Sequence, residues 1–467
     1  MGRRIAVVGG GAAGLAAAHR LRRELGADAE IVLFEQSDRL GGKLRTVDLA
    51  GVGYDLGAEA FLARRPEVLA LAEELGVRDD VVHPGGFSAT VRAGGRTLPL
   101  PGGTVMGVPA SADSVRDVLS ERGLAALLAE ADLPPVDLAG ADVSVGGLLR
   151  QRVGDEIVDR LVEPLLGGVY AGNADLLSLR ATVPALAAAL DAGAGSVTAA
   201  AAAALPAPSG GPKPPVFGAF GGGYRRLVDA LVAACDARVR FGLPVRSLTR
   251  QGTGWRLEIG AAPGPEAVDA DAVVLAVPAP SARRLLAGPV PEAADRLGAV
   301  ELASMVVVGL ALPPSTELPE ASGVLIGRGE QHADGTPFTA KAFTFSSRKW
   351  PHLRGAGGEW LVRGSVGRFG EELRLTDDEL LRRVRADLAE LTGITAEPVD
   401  SAVVRWGGGL PQYGVGHLDV VAGAERAVGE VPGLALAGAA LHGVGVPACV
   451  ATGEQAARKI TRDLLAG

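Results

Sequence analysis

The feature that most narrows what this chain can fold into lies within its first 35 residues. An apolar run, Ile5 to Val8, is followed by Gly9, Gly11 and Gly14 in GxGxxG spacing, then by a helical pattern from Gly14 to Leu25 and a second apolar run, Ile31 to Phe34. Strand, glycine turn, helix and strand make a βαβ unit. The first glycine permits the tight turn, the second lets backbone approach a pyrophosphate, and the third lets the helix pack closely on the strand. Gly10, Ala12 and Ala13 belong to the same turn, whose helix N-terminus offers free N–H groups and partial positive charge to phosphates. Glu35, at the end of the second strand and just before Gln36, stands where a carboxylate accepts hydrogen bonds from both ribose hydroxyls of a dinucleotide.

Glu35 alone does not separate NAD from FAD, but the residues after it do. Arg39, Gly41, Gly42 and Lys43 continue the cofactor loop, and Gly57, Ala58, Glu59 and Ala60 follow a short strand. Such an extension suits FAD, an extended dinucleotide whose flavin end reaches toward a second lobe. No second GxGxxG occurs in the sequence, so a dedicated NADPH domain is not expected. Oxygen or another acceptor must then reoxidise the cofactor.

Acidic residues outnumber basic ones by 54 to 46, which leaves no global positive field to recruit nucleic acid. Two cysteines, Cys235 and Cys449, are too few and too far apart for a disulfide framework or a cysteine metal site, and a reducing compartment fits them. No metal is expected. The strand at Ile5 leaves no room for a signal peptide, and the most apolar stretch, Val197 to Leu205, is well short of the roughly 20 residues of a spanning helix. A cytoplasmic protein is expected. Basic charge carried largely by arginine, with abundant alanine and glycine, is the bias of GC-rich codons.

At 467 residues the chain calls for interleaved domains. Helices are expected near Val115 to Leu119, Leu124 to Ala129, Val145 to Arg152 and Glu156 to Leu166, with a mobile alanine tract and a Pro/Ser/Gly-rich linker after them. Strands are expected at Ala272 to Val277, Met305 to Ala311, Trp360 to Val366 and Leu434 to Ala437, the last leading through a glycine turn at Gly438 to a helix from Val450 to Leu465. The fold class is α/β: a Rossmann-like FAD-binding domain, a mixed-sheet substrate domain and an inserted helical lobe. Residues 1–80, 217–285 and 401–467 are assigned to the FAD domain, 81–101 and 286–400 to the substrate domain, 102–205 to the helical lobe and 206–216 to the linker.

Four further stretches carry a specific resemblance: VEPLLGGVYAGNADLLSL from Val162 to Leu179, TFSSRKWPH from Thr344 to His352, PQYGVGH from Pro411 to His417, and HGVGVPACVATGEQAA from His442 to Ala457. With the N-terminal unit they span nearly the whole chain, which resembles the protoporphyrinogen and coproporphyrinogen oxidases among amine-oxidase-like flavoproteins. The resemblance implies an amine-oxidase-like, glutathione-reductase-type FAD domain. It puts the isoalloxazine end near Lys43, Trp406 and the run Val444, Gly445, Val446, and the adenine against the backbone of Val245. Many relatives carry arginine or another large side chain where Lys43 stands. Small residues after His442 would let a helix N-terminus approach the flavin.

The same resemblance implies oxidation of a porphyrinogen in three two-electron rounds, with oxygen reoxidising FAD and hydrogen peroxide released. Electron-rich pyrroles stabilise the cation left by hydride loss, so no catalytic acid or base is named. Arg348, Lys349, His352 and Arg354 form a basic cluster suited to substrate carboxylates, or else a solvated loop; Lys341, Arg64 and Arg65 are comparable candidates. A chain with no apolar span and the codon bias of a high-GC Gram-positive bacterium resembles the branch acting on coproporphyrinogen III, with protoporphyrinogen IX as the alternative. A flavin amine oxidase or desaturase, or a non-catalytic carrier on the same fold, are the other classes. Expected partners are the porphyrinogen and oxygen, with at most peripheral membrane contact, transient contact with the next haem-pathway enzyme, and either a monomer or a homodimer.

Overall fold

The computed structural model describes residues 3–206 and 215–466; the linker expected over 206–216 falls largely outside the described residues. Five parallel strands form the central sheet, in the order Arg238–Arg240, Glu30–Phe34, Arg4–Val8, Ala272–Leu275 and Leu434–Leu436. Their side chains are apolar at every buried position because both faces are covered. Ile5, Val7, Ile31, Leu33 and Val274 face the helices Ala12–Leu25, Arg225–Cys235 and Val446–Ala466. Ala6, Val8, Val32, Phe34, Val273 and Leu275 face the antiparallel strands Val245–Gln251 and Gly254–Ile259 and the helices Ala279–Leu286, Pro291–Leu297 and His417–Gly429.

A seven-stranded mixed sheet makes the second lobe, in the order Asp400–Pro411, Leu302–Leu312, Trp360–Val366, Ala340–Thr344, Gly323–Ile326, Ala89–Ala93 and Arg96–Pro99. One face packs on the helix Asp377–Thr392 through Leu380, Val384 and Leu388. The other meets the hairpin Thr46–Leu49/Val52–Asp55, which puts Leu49, Tyr54 and Leu56 against Val307, Leu361 and Val404. That hairpin belongs in sequence to the cofactor unit, so it joins the lobes.

Two expected boundaries move. Asp400–Pro411 pairs along Leu302 to Ala311, so the strand beginning at residue 400 is part of the substrate sheet and the last cofactor segment starts after Pro411. Ala293, Ala294 and Leu297 pack with Val8 and Phe34, so the second cofactor segment runs past residue 285 to the end of that helix. The region 102–205 is helical apart from the small pair Thr104–Val105/Val108–Pro109. Within it, residues 155–170 stay helical through a π-turn at Val158–Val162, where the Glu163 N–H bonds Val158 O. Pro164 follows, and its lack of an N–H accounts for the break in the ordinary ladder.

The alanine tract expected to be mobile is a helix, Val197–Ala204, with Ala200 and Ala201 fully buried. Glu130 fixes its start by accepting the Val197 and Thr198 N–H groups at 2.7 and 3.1 Å. Near Val115 only a single 3-10 turn, Asp113–Val115, forms where a helix to Leu119 is expected. The closing helix begins at Val446 rather than Val450, because Pro447 suits a first turn.

The first and last helices touch almost backbone to backbone: a Cβ at Gly453 would lie 2.2 Å from Ala13 O. Gly453→Ala should therefore destabilise the protein by about 1–3 kcal/mol through overpacking. Gly429→Ala, whose added methyl meets nothing within 4 Å, should leave stability unchanged or slightly raised. Denaturant unfolding of the two variants checks the contrast.

Candidate active site

A cleft opens at the carboxyl ends of the parallel strands, where strand order reverses around Arg4–Val8. Gly9, at φ +106°, turns the chain out of the strand; a Cβ there would sit 2.3 Å from Ala276 O. At Gly14 a Cβ would sit 1.9 Å from Gly9 O, so only glycine lets the helix start this close to the strand. Gly11 differs, since a Cβ would meet nothing nearer than Gly42 Cα at 3.9 Å and would point into open space. Among the described residues no side chain caps the helix beginning at Ala12, which leaves its first N–H groups for an anion.

Glu35 is pre-oriented beside that turn. Its Oε2 accepts the Gly10 N–H at 2.8 Å, and its Oε1 accepts the Ser37 N–H and hydroxyl, both at 2.9 Å. Gly9, Gly11, Ala12, Ala13, Glu35, Gln36, Gly41, Gly42, Lys43, Ala58, Val245, Gly438, Val444 and Val446 all line the cleft. An uncapped helix end, a held carboxylate and a glycine floor fit a dinucleotide diphosphate, and the cleft runs on past Lys43 to the start of the closing helix.

Other expected residues act from behind this surface. The Arg39 guanidinium donates to Gly42 O at 2.7 Å and so holds the loop. Trp406 Nε1 donates to Leu56 O at 2.9 Å, and Arg363 donates to Asp55 O and Gly57 O, which ties the cofactor strand to the substrate sheet. Gly57 passes Lys43 so closely that a Cβ would lie 1.9 Å from Lys43 O. Ala60 is half-buried just beyond, and Gly445 sits in the turn before the closing helix, its C=O accepting the Cys449 N–H. Glu59 faces the second lobe, where it receives Lys349 Nζ at 2.7 Å and the Ser346 hydroxyl at 3.2 Å; Ser346 in turn meets Tyr54 Oη at 2.7 Å. Lys349 and nearby Arg363 hold Glu59 ionised, below its ordinary value despite burial.

The sequence reading missed Leu243, Pro244, Ser281, Arg284 and the run Ala276–Ala279, which line the same cleft. The apolar strand Ala272–Leu275 running into VPAPSA is the signal that could have found them, because ligands gather at the carboxyl ends of parallel strands. Tyr413, within the PQYGVGH stretch, has a structural role that the motif alone does not show. Its hydroxyl accepts the Gly443 N–H at 2.8 Å and donates to Ala439 O at 2.6 Å, pinning the glycine turn that walls the cleft. Cys235 is buried in its helix, and Cys449 lines the cleft beside Lys43, its thiol pushed up by burial to about 11.

The basic candidates for substrate separate clearly. Lys349 is committed to Glu59. Arg348 donates to Leu318 O at 2.9 Å and lies over the Trp360 ring, and the Arg354 guanidinium stacks 3.5 Å from the same ring's centroid. Arg65 pairs with Glu67, and His352 is half-buried with its basicity lowered by desolvation. Lys341 stands apart: it is 4% exposed, its Nζ has no hydrogen-bond partner among the described residues, and burial lowers its pKa to about 7.

The sequence matches the profile of flavin containing amine oxidoreductases over residues 12–461. It is 46% identical over 463 residues to a Mycobacterium tuberculosis protein named coproporphyrinogen III oxidase, covering 98% of this chain and 97% of that one. The chain belongs to the coproporphyrinogen III oxidase family. A Bacillus subtilis member of that name is 31% identical across 97% of this chain and 96% of its own length. Among solved structures, a protein of Exiguobacterium sp. 255-15 carrying the name protoporphyrinogen oxidase superposes with a TM-score of 0.85 at 31% identity, covering 99% of both chains. Membership makes this protein a flavin-dependent oxidoreductase with FAD as cofactor.

Two outcomes follow for this oxidase-family cleft. Gly11→Val should abolish the yellow colour of the purified protein and leave the cofactor-free melting temperature near that of wild type, and wild-type flavin should leave with acid precipitation. In the FAD-loaded, substrate-free protein, Lys341→Met should raise the melting temperature. Its folded pKa lies below the unfolded value of roughly 10.4, so the cost of burying the charge is full below about pH 7 and fades toward pH 10. The gain should fade likewise, as melting curves across that range would show.

Proposed function

We propose that this protein oxidises coproporphyrinogen III to coproporphyrin III in haem biosynthesis, a six-electron reaction with oxygen as final acceptor and hydrogen peroxide as co-product. Identity of 46% along nearly the whole chain to proteins of that name carries the reading. Bound FAD supplies the two-electron acceptor that oxygen then restores.

The chain's own work is to bind and orient. The Gly9–Gly14 turn and Glu35 would take the diphosphate and ribose, and the Arg39 and Tyr413 hydrogen bonds fix the two loops that would hold the reactive end. The Lys43 side chain and the N-terminus of the helix Val446–Ala466 favour added negative charge there. Oxidation at a meso carbon leaves positive charge that the pyrroles spread, so orientation of the macrocycle matters more than a strong protein base. Of the remaining basic candidates Arg64 is exposed and Lys341 is buried without a hydrogen-bond partner among the described residues, which favours Lys341 for a substrate carboxylate. Two free thiols suit a cytoplasmic setting, with at most peripheral membrane contact and transient contact with the enzyme that takes the product.

The name of the Exiguobacterium structure favours a second reading, protoporphyrinogen IX, which carries two propionates where coproporphyrinogen III carries four. Anaerobic addition of coproporphyrinogen III to the yellow holoenzyme should bleach its visible absorption, and in air each porphyrin formed should come with three molecules of peroxide. Bleaching by protoporphyrinogen IX alone would transfer the assignment to the second reading, and bleaching by neither would end both.

A further inference from the structure

The two ends of the cofactor cleft differ in what lines them. Lys43, Val444, Val446 and Cys449 line one, and Glu35, Leu243, Pro244 and Val245 line the other. The second group is contiguous, because the Gly242 N–H donates to Ser37 O at 3.0 Å and the Leu243 N–H to Glu35 O at 3.4 Å. Glu35 stands where a ribose is held, so the base on that ribose must rest against Leu243–Val245. Facing this segment is the helix Ala279–Leu286, which packs with Val245 and Leu248 through Ala282, Leu285 and Leu286. From its side Val277, Pro278, Ser281, Arg284 and Leu285 line the cleft. Leu243, Pro244, Val277 and Leu285 thus offer apolar walls suited to the faces of a flat base.

This second wall is poor in backbone donors. The turn after Arg4–Val8 presents N–H groups, whereas the turn after the neighbouring strand Ala272–Leu275 carries Pro278 and Pro280, which have none. The Ser281 N–H is already given to Pro278 O at 2.9 Å. Polar contact from this side must come from side chains. Arg284 follows Ser281 by three residues, which puts the two on one face of the helix. It is exposed, its helix carries no acid, and among the described residues it enters no ion pair. Its neighbour Arg283 is turned elsewhere, with its Nε 3.3 Å from where a Cβ on Gly298 would lie. Arg240, on the strand beside Glu30–Phe34, is paired with Glu266 at 2.7 Å. Arg284 therefore brings a free guanidinium to the end of the cleft where the base belongs.

We infer that Arg284 clamps the adenine of FAD, its planar guanidinium stacking on the face of the base that the apolar walls leave open to solvent. A guanidinium is weakly hydrated and flat, so it stacks on a base at little desolvation cost, which a compact ammonium does not. Arg284 lies at the end of the cleft away from Lys43, so its role is retention of the cofactor and holds whichever porphyrinogen is oxidised.

Release of FAD from the diluted holoenzyme tests this, followed by flavin fluorescence with a nucleotide phosphodiesterase present to split free FAD and prevent rebinding. Arg284→Ala should release FAD about three- to fivefold faster than wild type, the effect of a cation on an aromatic face at an exposed site. Arg284→Trp, which restores a stacking plane without charge, should bring release back toward the wild-type rate. Arg284→Lys, which keeps the charge without the plane, should behave like the alanine variant, and Arg283→Ala should match wild type. Rescue by lysine and not by tryptophan would move the contact to the diphosphate and overturn the stacking. Release at the wild-type rate from Arg284→Ala, or equal acceleration in Arg283→Ala, overturns the clamp altogether.

Discussion

Everything in this structure depends on how closely backbone can pack against backbone at two glycines. Gly14 sets the first helix on Gly9 O, and Gly453 sets the last helix on Ala13 O, so that segments some 440 residues apart share one wall. Those two contacts place the uncapped helix end and the start of the closing helix on one cleft. Larger residues at either point would push the helices outward and widen it. Burial on both faces of the parallel sheet then supplies the driving force that keeps the arrangement shut.

The opening βαβ unit was legible because each of its parts has a strict local requirement. Glycine spacing, apolar strands and an acid at the second strand's end leave few alternatives, and the structure puts Gly11, Glu35 and Lys43 on one surface. The strand Trp360–Val366 has the bounds that its pattern gives. Such elements announce themselves through period alone.

What was not legible depends on partners distant in sequence. The alanine tract reads as weakly specified until Glu130, 67 residues earlier, is seen capping it. Asp400–Pro411 looks like the start of a new segment until its pairing with Leu302–Leu312 is known. The basic candidates read alike as charge, yet ion pairing, stacking and burial give Lys349, Arg348 and Lys341 three different fates. Charge type is written in the sequence, whereas charge availability is decided by the fold.

The strand Asp400–Pro411 carries a mechanical consequence. It runs along the substrate sheet and continues through Gln412 and Tyr413, whose hydroxyl grips the cofactor turn, into the helix His417–Gly429 on the central sheet. One unbroken stretch of hydrogen-bonded chain therefore bridges both lobes, and the hairpin at Tyr54 bridges them a second time from the opposite end of the sequence. Two braces of this kind suppress a clamshell hinge. Any relative motion of the lobes must therefore strain both connections at once.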